Sequence, residues 1–227
     1  MEKAALSGTW IEPLFDETGK PVGMITIPLG AREPRPVIVA MHAASGRPDW
    51  MCGTTRDIAG PGPFVVCPHP IAEVTRMASW GDGPSMRLAV ERAMRSALAK
   101  YAAYMRLDDI VYFGHSQSAM HAGEALTAGP RATVFHSVLL YEGAPASTRE
   151  AATLLKGAGV SRALVVSGQE GWAAAHRSLA VELARLGVDA RYVHAGGDHY
   201  FAGPAIPSLR ENLRWLVQGS RAWEAVR

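Results

Sequence analysis

The feature that most constrains this chain is an alternation, sustained over most of its length, between short wholly apolar runs and longer segments whose apolar residues recur every three or four positions. Val37-Ile38-Val39-Ala40-Met41, Phe64-Val65-Val66 and Ile110-Val111-Tyr112-Phe113 are unbroken runs, the pattern of strands covered on both faces. Further strands are expected at 137–141, 162–166 and 188–193. A short helix is expected at 49–59. Gly83-Pro84 opens a longer one, with Met86, Val90, Ala93, Ala97 and Tyr101 on one face, running to about residue 106. Ser147 with Glu150 forms a capping box for a helix that stops near Gly157. Leu179, Leu183 and Leu186 share a helix face that ends at Gly187. A second box, Ser208 with Glu211, is expected to start the final helix, striped by Leu209, Leu213 and Leu216. Such alternation implies a largely parallel sheet with helices on both faces. Only the beginning differs: residues 8–15 and 21–28 read as two extended segments around the polar connection 16–20, an antiparallel edge.

Composition sets limits rather than a function. The 227 residues, 48% hydrophobic and 19% charged, suit one domain spanning 1–227, and neither a repeat nor a linker divides them. No apolar run reaches the roughly 20 residues of a membrane helix. A net charge of +2, with no basic run, argues against a nucleic-acid partner. The N-terminal segment lacks the apolar core of a signal peptide, so a cytoplasmic protein is expected, with the mature form of a secreted one as the alternative. Cys52 and Cys67 are too few for a disulfide scaffold and are read as two buried thiols, with one local disulfide as the alternative.

The chemistry is concentrated at Gly114-His115-Ser116-Gln117-Ser118, directly after the strand at 110–113. A serine hydroxyl needs both a base and an exposed position to act as a nucleophile, and a sharp strand-to-helix turn provides the exposure. The flanking positions of that turn must be small, which is the origin of the G-x-S-x-G pattern. Gly114 fits it. Ser118 stands in place of the last glycine, implying slightly wider packing.

With these residues in this order, the chain resembles the α/β-hydrolase family over almost its whole length. The resemblance implies a mostly parallel eight-stranded sheet with helices on both faces, and a base in the loop after the last strand. Ala195-Gly196-Gly197-Asp198-His199-Tyr200-Phe201 is similar to that loop, which makes His199 the expected general base for Ser116. The acid is expected to be Glu170, in the turn after the strand at 162–166, although Gly171 stands where the family commonly has an aspartate. Glu142, after the preceding strand, is the alternative, and Asp198 ranks third. The oxyanion donors implied are the backbone amides of Gln117 and of Ala44, with Ala43 as the alternative to the latter. Ala43 and Ala44 belong to His42-Ala43-Ala44-Ser45-Gly46, which resembles the family's H-G-x-x-G turn.

Only residues 143–147 separate the sixth strand's motif from the next helix box, leaving no room for a large lid. Trp80, Trp172 and Tyr200, together with Trp50, are expected to line a substrate pocket, or else to anchor loops. None of the eight histidines falls in a recognisable metal spacing, so neither metal nor cofactor is expected. The implied function is a serine esterase acting on a small-molecule ester, with no nucleic acid or membrane as partner. Its departures at Ala43, Ser118 and Gly171 keep an inactive binding protein as an alternative, and an acyltransferase would use the same residues.

Overall fold

The computed structural model, which describes residues 3–71, 79–129 and 132–224, begins with the antiparallel edge expected from the sequence. Strands β1 (Ile11–Phe15) and β2 (Pro21–Thr26) pair with Ile11 opposite Thr26. The Asp16 carboxylate accepts from the backbone amides of Thr18 and Lys20, both at 3.0 Å, so the chain turns there rather than extending.

Six more strands follow: β3 (Val37–Met41), β4 (Phe64–Pro68), β5 (Ile110–His115), β6 (Phe135–Tyr141), β7 (Arg162–Ser167) and β8 (Asp189–His194). They form one sheet in the order β1-β2-β4-β3-β5-β6-β7-β8. Only β2 runs against its neighbours, so the eight-stranded, mostly parallel sheet is as the sequence implies. From β3 the chain crosses to β4 on one side and then to β5 on the other. The carboxyl ends of β3 and β5 therefore border a crevice at a reversal of winding, where open α/β sheets accept ligands.

The alternation of side chains along each strand divides the interior in two. Val37, Val39 and Met41 of β3 enter one core, and Ile38 and Ala40 enter the other. The first core is closed by helices α2 (Gly83–Tyr101), α3 (Gln117–Met120), α4 (Ala122–Thr127), α5 (Thr148–Gly157) and α6 (Glu170–Arg185). The second is closed by α1 (Pro48–Ala59), α7 (Ala205–Leu216) and α8 (Arg221–Glu224). Each large aliphatic side chain buried this way contributes about 1.5–3 kcal/mol.

Two expectations change. Helix α7 starts at Ala205, three residues before the capping box, and α8 follows it. Pro207 lies in the first turn, where a missing N–H is not needed, and Ala205 is fully buried, so packing overrides the box. The cysteines are not thiols: Cys52 on α1 and Cys67 on β4 form a disulfide, with Cα atoms 5.8 Å apart. Helix α1 folds directly back onto the strand that follows it, which brings two positions fifteen apart within bonding reach. Disulfides belong to oxidising compartments, which sets this bond against the cytoplasmic expectation. Unfolded protein without reductant should show no titratable thiol and two after reduction. Replacing both cysteines by alanine should lower unfolding stability by about 3 kcal/mol, measured by urea titration.

Candidate active site

Among the described residues, the non-glycine positions with left-handed backbone are Ser45, Ser116, Glu142 and Phe201. All four lie in the loops that leave the carboxyl ends of β3, β5, β6 and β8. Backbone strain of this kind collects at functional sites.

Strand β5 ends at His115, Ser116 adopts φ 57° and ψ −116°, and α3 begins at Gln117. A side chain at Gly114 would stand 2.8 Å from the Ser118 carbonyl oxygen and 2.9 Å from the Ala119 amide, so only glycine fits. Ser118 does not loosen the turn. Its buried hydroxyl accepts from the His115 amide and donates to the Met41 carbonyl, each at 2.8 Å, tying the serine turn to the end of β3.

Ser116 Oγ lies 2.9 Å from His199 Nε2, and the other imidazole nitrogen, Nδ1, lies 3.3 Å from Glu142 Oε2. The sequence favours Glu170 for this position; the structure puts Glu142 there. Glu170 opens α6 with its side chain 85% exposed, 3.3 Å from His194 Nε2. The reason lies in the pairing of β5 with β6, which sets His115 beside Tyr141 and hence Ser116 beside Glu142. Gly143 completes the approach, because a Cβ there would fall 2.0 Å from the Ser116 carbonyl oxygen. The loop after β7 does not bring Glu170 to His199; it supplies the amides of Gly168 and Gln169 to Glu142 Oε1. Asp198 accepts from the Tyr200 amide at 2.7 Å and the Ala202 amide at 3.3 Å, which shapes the histidine loop.

Electrostatics follow from this wiring. Burial alone would raise the Glu142 carboxyl, but the bonds from His199, Gln169 and Gly168 together outweigh it and hold the group below the usual carboxylate range. Glu142 is an anion, wholly buried, with each oxygen accepting. Burial lowers His42 to about 4 and His115 to about 3, so both rings are neutral near pH 7.

In the loop after β3, the Ala43 carbonyl accepts from Gly46 N at 3.0 Å and from His42 Nδ1 at 2.7 Å. A planar trans peptide then directs the Ala44 N–H the opposite way from that anchored oxygen. Trp80 is an anchor rather than a pocket wall: it is buried, its Nε1 donates to the His42 carbonyl at 2.7 Å, and its ring lies 4.6 Å from that of His42. Trp172 stands on the first turn of α6, with its ring against the buried His176. Trp50 and Tyr200 do border open space, a cleft of about 420 Å³ shared with His115, residues 43–46 and the Arg47–Asp49 ion pair. Among the described residues, no three of His, Cys, Asp and Glu converge as metal ligands.

Sequence reasoning takes Ser118 only as a source of wider packing and ranks Glu142 second. A signal for Glu142 is present: a lone carboxylate followed by glycine, directly after the apolar run Val138-Leu139-Leu140-Tyr141, is the pattern of a buried acid rather than a solvated one.

No protein-family model matches the chain, and no curated protein matches it. Solved structures do. An S-formylglutathione hydrolase from Agrobacterium tumefaciens covers the whole of both chains at 16% identity with a TM-score of 0.62. An S-formylglutathione hydrolase from Staphylococcus aureus matches 95% of this chain and 100% of its own, at 13% identity and a TM-score of 0.65. A carboxylesterase from Mesorhizobium loti matches 94% of this chain and 99% of its own, at 14% identity and a TM-score of 0.60. With its strand order and winding, the chain has the α/β-hydrolase fold.

The neutral buried histidines make stability depend on pH. The unfolded chain binds their protons near 6.5 and the folded chain does not until about 4 for His42. Below pH 6.5 the unfolded state therefore holds more protons, and stability falls as pH falls, by about 1.4 kcal/mol per unit for each such group. The urea midpoint should decrease from pH 7 to pH 5, and His42→Asn should flatten that slope.

Proposed function

We propose that the protein is a serine hydrolase of small carboxylic esters, acting through Ser116, His199 and Glu142 and an acyl-enzyme intermediate. The observation that carries this reading is the continuous run Ser116 Oγ, His199 Nε2, His199 Nδ1, Glu142 Oε2, at 2.9 and 3.3 Å, ending on a buried, ionised carboxylate. A hydroxyl so placed can pass its proton to an imidazole whose developing charge the carboxylate stabilises.

The steps follow from the geometry. Ser116 Oγ attacks the ester carbonyl while its proton moves to His199 Nε2. The tetrahedral oxyanion is met by the amides of Gln117, the first residue of α3, and of Ala44, whose direction is set by the double anchor on Ala43. His199 then gives the proton to the departing alkoxide. Water, deprotonated by the same imidazole, releases the acid and restores Ser116. Glu142 keeps its negative charge throughout and orients the ring.

Two further observations support an active enzyme over an inactive relative. The departure at Ser118 forms two hydrogen bonds instead of drifting, and the departure at Gly171 falls in a turn whose acid is not needed once Glu142 serves. Helix α5 starts six residues after Glu142, so the cleft has no cap between β6 and that helix, which suits a small ester that meets the site directly from solvent. The carboxylesterase among the similar structures agrees with this class of substrate. We read residues 1–227 as one such domain.

A short-chain nitrophenyl ester and a fluorophosphonate probe test the proposal. The protein should turn over the first and carry the second on Ser116. Ser116→Ala should abolish labelling and lower kcat by about 10⁴- to 10⁶-fold. Glu142→Gln should lower kcat by about 10⁴-fold, and Glu170→Gln should leave it unchanged. An unlabelled wild type without turnover would refute the assignment.

A further inference from the structure

The loop that carries His199 is held by two side chains whose places in the sheet are unusual. His115 immediately precedes Ser116 and Tyr141 immediately precedes Glu142. The two are direct partners across the β5–β6 pair, and both are fully buried. Tyr141 donates its hydroxyl to the Asp198 carbonyl at 2.8 Å, and His115 Nε2 lies 2.7 Å from the His199 carbonyl. A carbonyl only accepts, so His115 carries its proton on Nε2. Two adjacent strand residues thus grip two successive carbonyls of one loop. The next residue along each strand flanks the His199 ring.

We infer that His115 and Tyr141 are positioning residues that clip the His199 backbone, so that one strand register aligns nucleophile, base and acid together. The inference rests on the proposed serine-hydrolase reading and adds to it.

Three observations make the clip specific rather than incidental. His115 Nδ1 is buried with no hydrogen-bond partner among the described residues, so the ring forgoes one bond while keeping the one to His199. Phe201, forced to φ 63°, places its ring 4.5 Å from both His115 and Tyr141, and so closes the loop over the two donors. Gly168, whose missing Cβ would lie 2.6 Å from the Asp198 carbonyl oxygen and 2.7 Å from the Tyr141 hydroxyl, leaves the second bond room to form.

Angstrom-scale misplacement of a base is expressed in kcat rather than in substrate affinity, and costs up to about 100-fold. Tyr141→Phe removes one hydroxyl and nothing else. His115→Phe keeps an aromatic ring of similar size but loses the donor, whereas His115→Gln restores an N–H at the position of Nε2. With a nitrophenyl ester, Tyr141→Phe and His115→Phe should each lower kcat by about 10- to 100-fold with KM changed less than about twofold, and His115→Gln should recover most of the loss. In a Glu142→Gln background, where His199 has already lost its second anchor, the same substitutions should cost markedly less, because all act through the same ring.

Full activity in both Phe variants would overturn the inference, as would equal losses in the Glu142→Gln background or a loss expressed in KM. A wild type without turnover or fluorophosphonate label would overturn this inference and the proposed function together, whereas an active wild type with unaffected clip variants would overturn this one alone.

Discussion

The register between β5 and β6 is the constraint on which the rest of the site depends. With His115 set against Tyr141, the next residue on each strand steps out of the sheet at the same height, and the Ser116 amide donates to the Tyr141 carbonyl at 2.9 Å as it does so. Both residues that step out, Ser116 and Glu142, have positive φ. A slip of one residue would turn every side chain of β6 to the opposite face and exchange its contributions to the two cores, so the register is secured by burial on both sides. Hydrophobic packing thereby sets the spacing of polar groups that take no part in the packing.

Around that register, backbone groups do much of the polar work. The buried charge of Glu142 is met by amides of the loop after β7, the loop after β3 is held through the carbonyl of Ala43, and the His199 loop through carbonyls of Asp198 and His199. Glycines at 114, 143 and 168 let these backbones approach where any side chain would collide. A buried carboxylate without those amides would be driven toward its neutral form and lose its use to the imidazole.

The legibility of the sequence divides along physical lines. The central strands β3, β4 and β5, covered on both faces, announce themselves as unbroken apolar runs, and every strand read between 37 and 193 corresponds to an observed one within a few residues. Ser116 and His199, which the structure brings within hydrogen-bonding distance, each carry a local signature of small neighbours that a sharp loop needs. What local pattern does not contain is adjacency between strands. Choosing Glu142 over Glu170 requires knowing that β6 lies next to β5 and in which register, and the disulfide requires knowing how closely α1 returns over β4. The start of α7 departs from the capping box for a related reason, since the buried Ala205 outweighs a favourable cap at Ser208.

The short connection from β6 to α5 has a consequence for how this scaffold could be elaborated. Glu142 and Gly143 are locked against the serine turn and Ala144 is buried, but Ala146 and Ser147 are exposed before α5 begins at Thr148. Exposed positions of that kind accept added chain most readily. They follow within five residues of Glu142, at the carboxyl end of the sheet, so a segment inserted there would leave the strands beneath it in place. The bare connection makes this chain a minimal platform onto which selectivity for larger or more apolar molecules can be built from one point.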